Sequence, residues 1–391
     1  MTLATQFGTD VLLIGWGHSR FGKLDEDVED LVVSVAREAI TSANVEPGEI
    51  DAIFVGQFNP GLTPLVFTSS LALQLSPDLF GVPATRVENA CASGSAALHQ
   101  GVNALLAGTA RTVLVVGVEK MTHASPEQIG AGLLGADYDS AGHPSSTGFA
   151  GLFADVAQHY GKRYGDCGDV LGTIAAKNHR NGVRNPYAQL RKDLGEKFCR
   201  TVSDKNPLVA SPLRRTDCSP VSDGAAAVVL STRARKASAV RLRGFAQAND
   251  FLPGAARDPL AFAGSRVAWQ RALAMAEVRR DDLSFIELHD CFTIAELRLY
   301  EVLGLAEDGR GGELLADGTV HPHGRLPVNV SGGLKAKGHP VGATGVSQHV
   351  VAAQQLTGTA GDMQLPSPRL AAVHNMGGLA VANYVSVLET I

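Results

Sequence analysis

Apolar residues recur along this chain at two spacings, and the two alternate from end to end. Short, nearly unbroken apolar runs stand at 11–15, 53–55, 113–118, 225–230, 240–245, 285–288, 370–373 and 381–387. Runs of that length between turn residues predict buried strands. Between them, 28–43, 94–107, 266–276 and 294–303 carry apolar residues three and four apart, which predicts helices packed by one face. A further helix is expected to open around Gly338, with Pro340 in its first turn and Val346, Val350, Val351 and Leu356 on its packed side. Such alternation predicts an α/β fold in layers, with helices packed on largely buried sheets.

One stretch breaks the pattern. From Glu119 to about Asp217 the chain is richer in polar residues and in turn signals such as Asn185-Pro186 and Asn206-Pro207. It reads as an insertion laid over the first α/β half, able to form a lid or a ligand-binding surface. There is also an internal echo. Strand, glycine-bearing loop and helix follow one another around Cys91 and again around His339. A duplicated unit would carry both residues to one face. The division expected is a first half, 1–238, containing the insertion at about 119–217, and a second half, 239–391.

Composition narrows the function. A net charge of -5 gives no basic face for nucleic acid, although a local basic patch for an anionic ligand remains compatible with it. Five cysteines, widely spaced and without a CxxC pair, point to neither a disulfide framework nor a zinc ribbon, and suit a reducing, cytoplasmic setting. The N-terminus has no signal-peptide pattern, and no apolar run is long enough to span a bilayer.

Four places carry reactive side chains. Cys91 lies between a predicted strand at 85–88 and the helix that follows. Amide hydrogens and the dipole at a helix N-terminus lower a thiol's pKa, which suits a nucleophile; a buried structural cysteine is the alternative. In His289-Asp290-Cys291-Phe292, period-two alternation puts His289 and Cys291 on one face at a strand end, suited to acid/base work or to a satisfied buried histidine. His339 sits on a turn that Gly332, Gly333, Gly338 and Gly342 leave nearly bare of side chains; it is built to reach something, or it caps the helix. His374-Asn375-Met376-Gly377-Gly378 could aim backbone amides at a negative oxygen or could simply turn a hairpin. No metal site is expected: the close pair His321 and His323 lies in a solvated loop.

Taken in order, Asn89-Ala90-Cys91-Ala92-Ser93-Gly94, His289-Asp290-Cys291-Phe292, Gly338-His339-Pro340-x-Gly342-Ala343-Thr344-Gly345 and His374-Asn375-x-Gly377-Gly378 resemble the thiolases, above all their sterol-carrier-protein-type branch. The resemblance spans essentially the whole chain. It implies the thiolase fold: two similar α/β halves in five αβαβα layers, with a loop domain inserted in the first. It also implies acyltransfer on acyl-CoA thioesters, with coenzyme A as substrate or product and no tightly bound cofactor. Cys91 then matches the acyl-accepting nucleophile. His339 matches the histidine that activates it and later helps hold a thioester oxygen. Amides of Cys91 and Gly377 match the oxyanion hole of the acyl-enzyme. Asn375 stands where better-known thiolases carry a second catalytic cysteine, and the resemblance passes that acid/base role to Cys291. His289 stands where other thiolases have an asparagine that holds an oxyanion-hole water, and the resemblance gives it that duty or direct donation.

The partners implied are an acyl-CoA, a second or further copies of the chain as homodimer or tetramer, and, as in some relatives, a small accessory protein; nucleic acid is not among them. Two other readings remain open from the sequence: a thiolase-like retro-aldol lyase of CoA-linked side chains, and a non-catalytic acyl-CoA or lipid-binding subunit. An aryl-ketone acetyltransferase would use the same cysteine. Arg180, Arg184, Arg214 and Arg215 are available for the CoA phosphates, without assignment.

Overall fold

Strands that are apolar on both faces need cover on both sides, and the architecture supplies it. The computed structural model describes residues 2–233 and 239–391. Its first half contains β1 (Val11–His18), α1 (Val28–Ala43), β2 (Ala52–Gly56), β3 (Ala84–Val87), α2 (Ser93–Leu106), β4 (Thr112–Glu119), α3 (Phe149–Tyr164), α4 (Gly168–Gly182) and β5 (Gly224–Ser231). The second contains β6 (Val240–Asn249), α5 (Ala263–Ala276), β7 (Phe285–Glu287), α6 (Thr293–Val302), α7 (Thr344–Leu356), β8 (Leu370–Gly377) and β9 (Ala382–Thr390). Local chemistry sets the boundaries. Asp27 caps α1 by accepting from the amide of Asp30, whose carboxylate accepts from the Asp27 amide in return, and Asn44 ends the helix in the left-handed region.

Nine strands form one sheet in the order β3-β2-β4-β5-β1-β6-β9-β8-β7. The order repeats in mirror image about its centre. β2 and β4 are parallel, as are β7 and β8. β5 runs antiparallel between β4 and β1, and β9 between β8 and β6. The half-sheets join only where β1 pairs β6, from Val11 opposite Leu242 to Leu13 opposite Val240. The duplication read from the echo is therefore a duplication of strand order, and its halves share an edge rather than standing as separate sheets.

Side-chain alternation then builds the layers. Val113 and Val115 of β4 face a central core with Val346 and Val350 of α7 and with Ala371 and Val373 of β8. Leu114 and Val116 face the opposite way, onto Leu31 and Val35 of α1. α7 is buried at every residue and touches β4 and β5 on one side, β8 and β9 on the other. α2 packs beside it, while α5 covers β6 and β9 from outside. The five layers are α1, the first half-sheet, α2 with α7, the second half-sheet, and α5.

Two expectations change. The segment after Glu119 reaches both halves: Tyr187 stacks on His18 of the first half with ring centroids 4.1 Å apart, and His123 Nε2 lies 2.9 Å from the Leu62 carbonyl. α3 and α4 pack against α6, and Phe153 stacks on Phe292 with ring centroids 4.5 Å apart. The apolar faces of α3 and α4 find their partners in the second half's core. Secondly, α7 begins at Thr344, five residues after His339. Pro340 lies in the turn before it, its carbonyl accepting from the amides of Ala343 and Thr344, both at 3.0 Å.

Candidate active site

Cys91 stands at the tip of a tight turn between β3 and α2. Ala90 has φ +49°, a left-handed conformation that a side chain disfavours. The turn is held around it. The amide of Asn89 donates to Ser93 Oγ at 2.8 Å, Ser93 Oγ donates to the Ala90 carbonyl at 2.7 Å, and Asn89 Nδ2 donates to Tyr384 Oη at 2.6 Å. The second turn closes on the first because both lack side chains at the contact. A Cβ added to Gly94 would stand 2.6 Å from the Gly342 carbonyl oxygen.

His339 is oriented from both sides. Its amide donates to Ser222 Oγ at 3.0 Å, and its Nδ1 lies 2.7 Å from Thr344 Oγ1. That hydroxyl gives its own hydrogen to the Pro340 carbonyl at 3.0 Å, so it accepts from His339. Nδ1 therefore carries the ring proton, and Nε2 presents a lone pair. Nε2 is buried and has no partner among the described residues.

His289 has the opposite tautomer. Asn375 Nδ2 donates to the Cys91 carbonyl at 3.3 Å and lies 2.8 Å from His289 Nδ1. A carbonyl only accepts, which fixes the amide's orientation; Nδ1 of His289 then accepts and the proton sits on Nε2. The two imidazoles meet edge to face, centroids 5.1 Å apart and planes at 87°. Asp290 stays behind the strand end, where it accepts from the amide of Leu334 at 2.7 Å and from Asn178 Nδ2 at 2.7 Å. Cys291 is anchored through its carbonyl to the amide of Ser219 at 2.9 Å.

These groups converge. Cys91 Sγ and a ring nitrogen each of His289 and His339 lie within 4.8 Å of one another. Cys91, Cys291, His339 and Gly378 line a cavity of about 80 Å³ whose walls are Phe58, Met121, Leu133, Phe149, Phe292 and Val341 among others. Leu133 and Phe149 come from the inserted segment, which thus walls the cavity.

Burial decides the charges. The Cys91 thiol is pushed up to about 12 by desolvation, which outweighs hydrogen bonds from the amides of Gly378 and of Cys91 itself; the nearby Glu119 adds to the rise. The helix-terminus effect expected from the sequence loses to the loss of water. Cys291 is raised well above the usual thiol range by burial and by Cys91. His339 falls to about 3, by burial first and the charge of Lys337 second, and His289 falls well below its usual value by burial and by His339. The resting site is a set of neutral groups.

The structure places Cys91, His289, Cys291 and His339 together. The amide beside the thiol belongs to Gly378, not to Gly377, which ends β8 with its Cα against the Asn89 carbonyl. His374 lies inside β8 and faces away, with Nε2 3.1 Å from Ser265 Oγ. Arg214 is withdrawn from any ligand by a buried pair with Asp217 at 2.8 Å. Glu119 escaped the sequence reading. Its carboxylate accepts from the amides of Phe58, Asn59 and Gly342, each at 3.0 Å, and so ties the His339 turn to β4. A lone acid ending a wholly apolar strand was the available signal. Nothing in the sequence marked Ser222.

Comparison with known proteins shows the family. Residues 12–234 match the family described as thiolase, N-terminal domain, and 246–390 match thiolase C-terminal domain-like. The chain belongs to the thiolase family. An acetyl-CoA acetyltransferase of Methanothermobacter thermautotrophicus is 36% identical to this thiolase over 377 residues, 94% of this chain and 96% of the relative. Sterol carrier protein 2 of Oryctolagus cuniculus is 30% identical, over 94% of this chain and 70% of its own. Among solved structures, an Ltp2-ChsH2(DUF35) aldolase superposes with TM-score 0.82 at 20% identity, covering 97% of both chains. Human mitochondrial 3-ketoacyl-CoA thiolase in complex with CoA superposes at 0.72 and 16% identity, over 100% and 99%. At those identities the superpositions speak for the thiolase's fold alone.

Proposed function

We propose that this thiolase transfers acyl groups between coenzyme A thioesters through an acyl-Cys91 intermediate. Run one way it joins two acyl-CoAs; run the other it cleaves a 3-ketoacyl-CoA with coenzyme A. The observation that carries the reading is the unpartnered, buried Nε2 lone pair of His339 in the cluster with Cys91 Sγ.

Acylation starts from neutral groups. His339 Nε2 takes and keeps the Cys91 proton as Sγ attacks the thioester carbonyl, while Cys291 gives its own proton to the departing coenzyme A sulfur and is left as a thiolate. The amides of Cys91 and Gly378 face Sγ, placed for the charge that forms on the carbonyl oxygen. A second acyl-CoA then loses an α-proton to the Cys291 thiolate, and its enolate carbon attacks the acyl group while the Cys91 thiolate leaves and recovers its proton from His339. The enolate oxygen is held by His289 Nε2–H and by His339 once it carries a proton on Nε2. Each such donor contributes about 3–4 kcal/mol in other enzymes.

Coenzyme A release, followed with a thiol-reactive dye, tests the reading. Wild type should release it from an acyl-CoA, and Cys91→Ser should not. Cys291→Ala should release one equivalent and stop. Full turnover by Cys291→Ala would remove Cys291 from the mechanism.

The same proposal includes self-association. β3 ends the sheet with one edge unpaired, and its Arg86 holds the carbonyl of Val66 at 2.8 Å in a loop that exposes Leu65, Val66 and Phe67. An apolar patch beside an open edge suits a second copy of the chain. Sedimentation should show a dimer or tetramer; a monomer at micromolar concentration would contradict it.

A further inference from the structure

The catalytic cluster has a second chemistry. Among the described residues, Cys91, His289 and His339 are the one group of histidine, cysteine or acidic side chains whose donor atoms all fall within 4.8 Å of one another. The set is one sulfur and two imidazole nitrogens. Carboxylate and carbonyl sites suit magnesium or calcium, whereas thiolate with imidazole suits zinc and its neighbours.

We propose that Cys91 Sγ, His339 Nε2 and His289 Nε2 form a reversible binding site for a divalent transition metal, zinc above all, that occupies the thioester position and shuts the enzyme. Zinc takes sulfur at about 2.3 Å and nitrogen at about 2.0–2.1 Å in a tetrahedron, which sets donor atoms about 3.5 Å apart. The three donor atoms, all within 4.8 Å of one another, must close to that spacing. Cys91 and His339 both line the cavity.

His339 is already arranged as a ligand. Its Nδ1 proton is engaged by Thr344 Oγ1 at 2.7 Å, and its Nε2 lone pair is unpartnered. A metal-bound histidine ordinarily has its other nitrogen donating to an oxygen in this way. His289 needs one adjustment, because its proton now sits on Nε2. The proton must move to Nδ1 and the Asn375 amide must turn to accept it. Asn375 Oδ1 is buried without a partner, so the turn gives that atom a hydrogen bond, while Nδ2 gives up its 3.3 Å contact with the Cys91 carbonyl. Cys91–SH and the cation become a thiolate–metal bond and one proton is released to solvent; nothing is oxidised or reduced.

The metal site itself stands apart from acyl transfer. Only its effect on turnover rests on the acyl-Cys91 reading.

Cobalt(II), a spectroscopic stand-in for zinc, separates the two. The full chain, titrated without oxygen, should bind one cobalt with a thiolate-to-metal charge-transfer band and the visible bands of a tetrahedral ion. One equivalent of zinc should bleach both. Cys91→Ser should lack the charge-transfer band, His339→Asn should bind at least about tenfold more weakly, and Cys218→Ser should match wild type. Circular dichroism checks that each variant is folded. No charge-transfer band at millimolar cobalt, or a band that survives Cys91→Ser, overturns the site. In a separate assay zinc should inhibit coenzyme A release competitively with the acyl-CoA, and a chelator should restore it. A chain that binds cobalt as described but never releases coenzyme A would sink the proposed function and leave the metal site standing.

Discussion

At the scale of single residues, the account turns on where two ring protons sit. Thr344 places one on His339 Nδ1 and Asn375 places the other on His289 Nε2. One imidazole is thereby a base toward the cavity and its neighbour a donor. Asn375→Ala frees the His289 tautomer, so carbon–carbon bond formation should fall by about 10²–10³ while acylation of Cys91 falls far less; single-turnover rates for the two half-reactions measure this. Equal losses in both would mean that Asn375 only supports the Cys91 turn. Lys337 makes a prediction of opposite kind. It is wholly buried and its charge holds the His339 pKa down, second to burial. Lys337→Met removes that charge, so the His339 pKa rises. The acidic limb of the acylation rate should move to higher pH, and an unmoved limb would show that burial alone sets the base. The sequence showed which residue types would meet here. It could not show the protons, because Thr344 and Asn375 act through contacts between distant segments.

Among elements, the contact between the two glycine turns does most of the positioning. Gly94→Ala would force the α2 turn and the His339 turn apart, since its Cβ cannot stand 2.6 Å from the Gly342 carbonyl oxygen. Acylation should fall at least about tenfold with little loss of helix signal; an active Gly94→Ala would show that the turns need not touch. Glu119 secures the same turn from β4. Glu119→Ala leaves two buried amides and a half-buried one without acceptors, at a cost of about 2 kcal/mol or more in urea unfolding. The strands and long helices were legible because their period is set by burial on one face or two. α1 occupies Val28–Ala43, the span its spacing predicts. Position was less legible. α3 and α4 carry apolar faces that sequence cannot assign to one half or the other, and their partners proved to be α6 and the second core. The start of α7 was misplaced because Pro340 suits a helix's first turn and the turn before it equally well.

For the molecule as a whole, the neutral groups predict how stability depends on pH. Burial lowers His18, His99, His179, His339 and His374 to about 3 and His349 to about 4, and it holds His289 well below its usual value. In the unfolded chain each titrates near 6.5, so below that pH unfolding takes up protons and stability falls as pH falls. Glu119 and Asp290, raised to about 7, and Glu287, also raised, act in the opposite sense, since the folded chain keeps their protons where the unfolded chain has released them. Seven histidines against these three acids leave acidification destabilising, and the urea midpoint should drop between pH 6.5 and 4.5. A midpoint that rises over that interval would mean the histidines are charged in the fold. The same neutrality bears on catalysis. A Cys91 thiol raised to about 12 does not wait as a thiolate; it reacts only when His339 takes its proton against a bound thioester. The most direct measurement is the intact mass of the protein after brief mixing with acetyl-CoA, followed by peptide mapping. The account predicts a single acetyl group, carried by the peptide that contains Cys91 and absent from Cys91→Ser. An unmodified wild-type chain across several acyl-CoAs, or an acetyl group on any other residue, would contradict it.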